Sequence, residues 1–182
     1  MHEALRQLKR DAMRTITGNI HAFEDTLAGR HTVIAYAGDT VDVAWPRSCY
    51  MHLCGVRCDV PRSARHVGEA EYFYSHALAG TLPFDAIVIP EGGRLMKRKA
   101  RVLPLLARLP ELDLYAAMTR KHGLVLAVGD TDGMMTIGFG ESGDVSTYVP
   151  GSNILFPRTL REQSVEKIAA TAPVRVDSVS VI

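Results

Sequence analysis

Long hydrophobic runs are missing from this sequence. No apolar stretch approaches the roughly 18 residues that a membrane-spanning helix needs, and residues 1–6 carry charges where a secretory signal would be apolar. The chain also has only three cysteines, an odd number clustered between Cys49 and Cys58, which excludes a conventional disulfide framework. We therefore expect a soluble cytoplasmic protein.

A strong charge of either sign is missing as well. Lys and Arg together number 21 and Asp and Glu 20, so the formal net charge is +1. Proteins that coat nucleic acid carry a much larger basic excess, whereas an enzyme that contacts a few phosphates in one cleft does not need it. The sequence also lacks a Gly-x-Ser-x-Gly elbow, a Walker loop and a His-Glu-x-x-His motif, which excludes the commoner hydrolase and nucleotide-hydrolysing classes.

What is present is an ordinary globular composition, 47% hydrophobic and 23% charged over 182 residues, typical of one domain. Apolar periodicity predicts helices first and a β-rich half afterwards, with spacing that favours an antiparallel meander. The predicted elements are a helix over 5–27 with a stop at Gly29, a hairpin of strands 32–36 and 40–45, a strand end and loop over 47–65, a helix over 70–78, a short strand over 84–89, a helix over about 93–109 bent at Pro104, strands over 112–118, 124–128, 134–139 and 145–149, and an edge strand over 174–181.

The third predicted helix holds the most informative charges. At 100° per residue, Arg94, Lys97, Arg98 and Arg101 form one narrow row, which we call the basic stripe, while Lys99 falls within the opposite apolar arc. One interpretation is a solvated basic face with Lys99 reaching out to water. The other is that Lys99 serves a phosphate cleft while the basic stripe attracts a polyanion.

His52 stands between a tyrosine and a glycine turn, and its side chain suits a general acid or base as well as a satisfied core position. Together with Cys49, Cys54 and Cys58 it raises the alternative of a zinc site. Structural zinc sites pair two close ligands with two distant ones, whereas these four lie within ten residues. The spacing therefore favours small buried thiols and no metal.

Two further segments carry candidate polar groups. The turn at 148–153 presents Ser152 and Asn153 at the end of a predicted strand, where a hydroxyl either ends the strand or binds phosphate. Tyr72 and His76 are four residues apart on the second predicted helix, as a surface pair or as part of the same cleft.

Four of these blocks occur in a characteristic order: Tyr-x-His-Leu-x-Gly at 50–55, Ala-x-x-Phe-Tyr at 70–74, Lys-x-x-Val-Leu at 99–103 and Pro-x-Ser at 150–152. The set resembles the phage-associated barnase–EndoU–colicin–RelE-like (BECR) nucleases, class four, over residues 31–157. Where that family's pattern has threonine after His-Leu, this sequence has Cys54.

The resemblance implies an α+β fold with N-terminal helices packed on a curved antiparallel sheet. The whole chain, 1–182, is then one nuclease-like domain. Within it we expect an N-terminal helix at 1–29, a family-like core at 30–157 and a C-terminal extension at 158–182.

The same resemblance implies RNA cleavage without metal or other cofactor, by attack of a ribose 2′-hydroxyl on the adjacent phosphate. His52 would act as general base or acid, Lys99 would stabilise the phosphorane-like transition state, and Ser152 would orient a phosphate oxygen. Tyr72 or Tyr74 would stack on a base or exchange a proton. The basic stripe would bind the RNA chain.

Two alternatives stay open. One is a non-catalytic nucleic-acid- or protein-binding module of a phage or mobile element on the same fold. Cys54 favours it, and the retained His52, Lys99 and Ser152 oppose it. The other is a zinc-binding adaptor. Expected partners are RNA and, for a toxin-like nuclease, an inhibitor or immunity protein, with no membrane.

Overall fold

The computed structural model describes residues 2–120, 123–141 and 154–182. Its α-helices are α1 (His2–Thr26), α2 (Cys49–Cys54), α3 (Glu69–Leu78) and α4 (Arg94–Val102). Its strands are β1 (His31–Tyr36), β2 (Asp39–Ala44), β3 (Arg57–Cys58), β4 (Ile87–Val88), β5 (Tyr115–Met118), β6 (Leu126–Gly129), β7 (Thr136–Gly140), β8 (Ile154–Arg161) and β9 (Val174–Val181). None of the helices in these ranges is both long and apolar enough to cross a membrane.

The predicted first helix is confirmed, and its apolar stripe faces the core. Ile16, Ile20, Phe23 and Leu27 are almost completely buried, whereas Leu5, at the start of the stripe, is exposed. The buried face of α1 packs against α3 and against the 3-10 helix Leu103–Glu111. A continuous apolar face of this kind stabilises a helix mainly through packing.

The predicted hairpin is also confirmed. β1 and β2 pair antiparallel with Tyr36 opposite Asp39, and Ala37 and Gly38 form the turn between them with positive φ angles of 52° and 82°. Two consecutive positive φ angles suit a two-residue hairpin. The predicted helix at 93–109 is divided in two, because α4 ends at Val102 and a 3-10 helix with Pro104 in its first turn continues the chain.

The predicted α+β class is confirmed, whereas the prediction that the strands form a curved antiparallel sheet with an edge strand at 174–181 is wrong. The described strands include a closed barrel in the order β1-β2-β8-β7-β6-β5-β9. The barrel closes because β9 pairs antiparallel with both β1 and β5, and because β8 pairs in parallel with β2. The first three strands of the predicted meander are present within it as β5 to β7, and the predicted strand at 145–149 lies outside the described residues. Residues 158–182, expected to be an extension, thus supply the end of β8 and all of β9.

The prediction of a loop over 47–65 is wrong at its start, where α2 forms. The helix is held to α1 by the Tyr50 hydroxyl, which donates to the Ile16 carbonyl oxygen at 2.8 Å. It ends at Gly55, which has a left-handed φ of 73°. A Cβ at Gly55 would come within 2.9 Å of the Lys99 side chain and 3.2 Å of the Met96 Cα, so glycine allows α2 to end directly against α4.

Candidate active site

A cleft of about 990 Å³ opens where α2, α4 and β8 meet. The two helices both contact β8, so the barrel wall forms one side of the cleft and the helices the other. The polar residues that line it include His52, Lys99, Arg158, Arg161 and Gln163. Two of the residues predicted to be catalytic, His52 and Lys99, are therefore brought together.

The histidine is oriented by the barrel. His52 Nε2 lies 2.6 Å from the carbonyl oxygen of Arg158, and a carbonyl only accepts hydrogen bonds, so Nε2 carries the proton. In the neutral ring the lone pair is then on Nδ1, for which the described residues provide no hydrogen-bond partner. Desolvation in the cleft, followed by the positive charge of Lys99, lowers the pKa of His52 below its usual range. A neutral imidazole with a free nitrogen suits a general base.

Lys99 is buried and bound to the backbone of the same histidine. Its Nζ donates to the His52 carbonyl oxygen at 2.5 Å, and the Gly55 N–H donates to that oxygen at 3.1 Å. The ammonium thus lies at the C-terminal end of α2, where unpaired carbonyls concentrate partial negative charge. Burial, together with the nearby Arg161 charge, lowers the pKa of Lys99 to about 8. Lys99 therefore couples α4 to the residue that carries the imidazole.

Positive charge dominates the rest of the lining. Arg98, Arg158 and Arg161 all line the cleft, and the Arg161 Nε donates to the Thr159 hydroxyl at 3.3 Å. Glu162 also lines it, but its carboxylate pairs with Arg101 at 3.0 Å. Several cations that converge in one concave site create a field that attracts anionic ligands.

The basic stripe is exposed along its whole length, as predicted. Of its four members, Arg98 lines the cleft and Arg101 holds Glu162 beside it. Arg94 and Lys97 lie outside the lining. The stripe thus runs from the outer surface of α4 to the cleft.

Tyr72 and Tyr74, the two tyrosines predicted to take part, lie outside the cleft. The Tyr74 hydroxyl donates to the Glu24 carboxylate, whose other oxygen accepts from Arg47 at 2.7 Å. Burial, with the hydrogen bond to Glu24, raises the pKa of Tyr74 above its usual range. The Tyr72 ring packs against His76 with the ring centroids 4.2 Å apart. Neither tyrosine is among the residues that line the cleft.

Ser152, the third predicted catalytic residue, lies outside the described residues, as do the turn at 148–153 and the predicted strand at 145–149. Cys54, in the position of the family threonine, is buried next to Tyr50 and Lys99. Burial raises the pKa of its thiol to about 12, so it is a neutral side chain. Among the described residues, no group of three or more His, Cys, Asp or Glu is placed to hold a metal ion.

Sequence reasoning missed the contribution of β8 to this site. Arg158, Arg161 and Gln163 follow Pro157, and a proline in an apolar run argues against a strand in the interior of a sheet. Here Pro157 lies beside a register shift in the pairing of β7 with β8, which accommodates it. The signal available was the mostly polar sequence Arg-Thr-Leu-Arg-Glu-Gln directly after the apolar residues 154–157.

Comparison with known families gives one match. A family model described as phage-Barnase-EndoU-ColicinE5/D-RelE like nuclease 4 matches residues 15–172 of the 182. The matched range contains the three walls of the cleft, α2, α4 and β8. Neither the curated proteins nor the solved structures gave a match to this chain.

Proposed function

Because this chain belongs to the phage-Barnase-EndoU-ColicinE5/D-RelE like nuclease 4 family, we propose that it is a metal-independent endoribonuclease. The observation that carries the proposal is His52, whose Nε2 is engaged by the Arg158 carbonyl while its ring lines a cationic cleft. RNA supplies its own nucleophile, the ribose 2′-hydroxyl, so cleavage needs a base and charge stabilisation but no activated water.

In the proposed reaction His52 Nδ1 accepts the proton of the 2′-hydroxyl. The 2′-oxygen then forms a bond to the adjacent phosphorus, and the bond from phosphorus to the 5′-oxygen of the next nucleotide breaks. The departing oxygen takes a proton from water. The products are a 2′,3′-cyclic phosphate and a free 5′-hydroxyl, without any change of oxidation state.

The cations divide the work of charge stabilisation. Lys99, held against the His52 carbonyl oxygen, supplies positive charge close to the base and stabilises the phosphorane-like transition state. Arg98, Arg158 and Arg161 bind the phosphates of the chain. Ser152 is assigned the orientation of a phosphate oxygen, and the exposed basic stripe raises the local concentration of RNA.

Incubation of the purified protein with RNA in EDTA tests this proposal. The matched variants are His52→Gln in the cleft and His76→Gln on α3, where the imidazole packs against Tyr72. We expect the parent protein and His76→Gln to release fragments that end in 2′,3′-cyclic phosphate. His52→Gln should cleave roughly 100- to 10,000-fold more slowly, the usual contribution of a general base. Intact RNA with the parent protein, or equal rates for both variants, would contradict it.

A second candidate is a non-catalytic module that binds RNA in the same cleft, and Cys54 in the threonine position favours it. This candidate predicts RNA affinity that depends on Arg158 and Arg161 without strand cleavage. The same incubation separates the two functions, because binding without fragments supports the module and fragments support the nuclease.

A further inference from the structure

Gln163, next to the C-terminal end of β8, has an unsatisfied amide. Its Nε2 is shielded from solvent and has no hydrogen-bond partner, and it is the one buried side-chain nitrogen or oxygen in this condition among the described residues. Because unpaired buried donors destabilise folded proteins, they are rare outside functional positions. Gln163 also lines the cleft that contains His52.

The backbone of Gln163 is fixed by a hydrogen bond, whereas its side-chain amide nitrogen has no partner. Its carbonyl oxygen accepts from the hydroxyl of Thr136, a fully buried residue of β7, at 2.7 Å. The neighbouring side chains are already engaged, Glu162 with Arg101 and Arg161 with Thr159. The Nε2 is therefore the group of Gln163 that lacks a hydrogen-bond acceptor, and a ligand in the cleft is where that acceptor would come from.

The chemistry of an amide points to a nucleobase as its ligand. The phosphates of a bound chain are served by Arg98, Arg158 and Arg161, whose guanidinium groups match phosphate oxygens in charge and geometry. An uncharged N–H donor adds little to phosphate binding, but it distinguishes bases by the groups on their edges. Bases of single-stranded RNA expose those edges to a protein.

We propose that Gln163 is a specificity-determining residue whose Nε2 donates to the keto oxygen at position 4 of a uracil base in the cleft, so that uracil is preferred to cytosine. Uracil and cytosine have the same ring size but differ at position 4, where uracil carries a keto acceptor and cytosine an amino donor. Cytosine would place that donor against the Gln163 donor. The inference rests on the proposed function to the extent that the cleft binds RNA.

The test measures binding separately from cleavage. Short single-stranded oligouridine and oligocytidine with 2′-O-methyl riboses have no nucleophile, so their affinities are measured by fluorescence anisotropy. We expect the parent protein to bind the uridine oligomer roughly three- to tenfold more tightly, the value of one hydrogen bond. Gln163→Leu should remove this ratio. Gln163→Glu, which replaces the donor by an acceptor, should reverse it, and a ratio cancels the general repulsion from the new charge.

Two controls exclude a loss of structure. Gln163→Leu should keep or raise the melting temperature of the parent, because the buried amide donor that it removes has no partner. Gln7→Leu, on α1, where the side chain donates to Asp11 and accepts from Arg10 outside the cleft, should keep the uridine preference. No affinity for either oligomer, no preference in the parent, or an unchanged ratio in Gln163→Leu overturns the inference.

Cleavage of the unmethylated oligomers then distinguishes a failure of the Gln163 role from a failure of the proposed nuclease function. Cleavage without a uridine preference defeats the role of Gln163 and leaves the nuclease. A uridine preference that depends on Gln163, without cleavage, leaves the base recognition and defeats the nuclease.

Discussion

Replacement of Lys99 by methionine separates a catalytic charge from a structural one. The side chain is 2% exposed, and methionine keeps most of the apolar stem that fills the space beside Gly55 and Met96. The His52 carbonyl oxygen loses the ammonium but keeps the Gly55 N–H. A hydrogen bond from a charged donor contributes roughly 1.5–3 kcal/mol, and release of a buried ammonium offsets part of it. We therefore expect the fold to survive.

The effect on rate should be much larger. Loss of one transition-state charge contact costs on the order of 2.7–4 kcal/mol, or about a hundred- to a thousandfold in rate. Lys97→Met is the matched control, because Lys97 is exposed on the same helix and lies outside the cleft lining. It should weaken RNA binding modestly and reduce its salt dependence. The measurements are kcat, KM and RNA affinity for both variants. Equal, small losses in the two variants would refute the catalytic role of Lys99.

The free energies of unfolding of the parent and of Lys99→Met should also differ in their dependence on pH. Because the pKa of Lys99 is lowered from 10.5 to about 8 in the folded state, the unfolded chain binds more protons between these values. The free energy of unfolding of the parent should therefore rise relative to that of Lys99→Met as pH increases from 8 toward 10.5. An equal pH dependence of the two unfolding free energies across this range would show that folding does not lower the pKa of Lys99.

Three further predictions concern the cleft and its surroundings. With increasing pH, kcat/KM should rise at a pH below 6.5, because the pKa of His52 is lowered from that value. It should fall near pH 8, where Lys99 loses its proton. A pH-independent kcat/KM would contradict both roles. Tyr74→Phe should lower the melting temperature, because it removes the hydrogen bond to Glu24. It should change kcat/KM by no more than about twofold, because the Tyr74 hydroxyl makes no contact with the transition state. A large loss of rate would show that Tyr74 takes part in catalysis. Elemental analysis should find no stoichiometric zinc, and one zinc per chain would favour the adaptor.

The parts of the fold that sequence predicted are those governed by local pattern. The apolar spacing of Ile16, Ile20 and Phe23 determines which face of α1 is buried. The hairpin was predicted from Gly38-Asp39, and the structure places its turn one residue earlier, at Ala37-Gly38. The angular position of Lys99 placed it within the apolar arc of α4, and of the two interpretations that this left open the structure has the buried one. Each of these properties depends on neighbours within a few residues along the chain.

What sequence missed depends on contacts between distant segments. α2 is six residues long, too short for a visible periodicity, and is held by Tyr50 against α1 and by Gly55 against α4. Barrel closure depends on β9 meeting β1 and β5. The position of Arg158 and Gln163 in the cleft depends on β8. This strand was not predicted, because it contains Pro157. Contacts between segments so far apart in the sequence produce no local pattern from which they could be predicted.

Cleavage of a chimeric oligonucleotide in EDTA tests the central claim most directly. The substrate is DNA with one ribonucleotide, so that a single 2′-hydroxyl is present, and its all-DNA counterpart is the control. We predict one cut on the 3′ side of the ribonucleotide, a 2′,3′-cyclic phosphate at the new end, and loss of this cut in His52→Gln. Equal cleavage of the all-DNA strand, or a cut that persists in His52→Gln, would contradict the account.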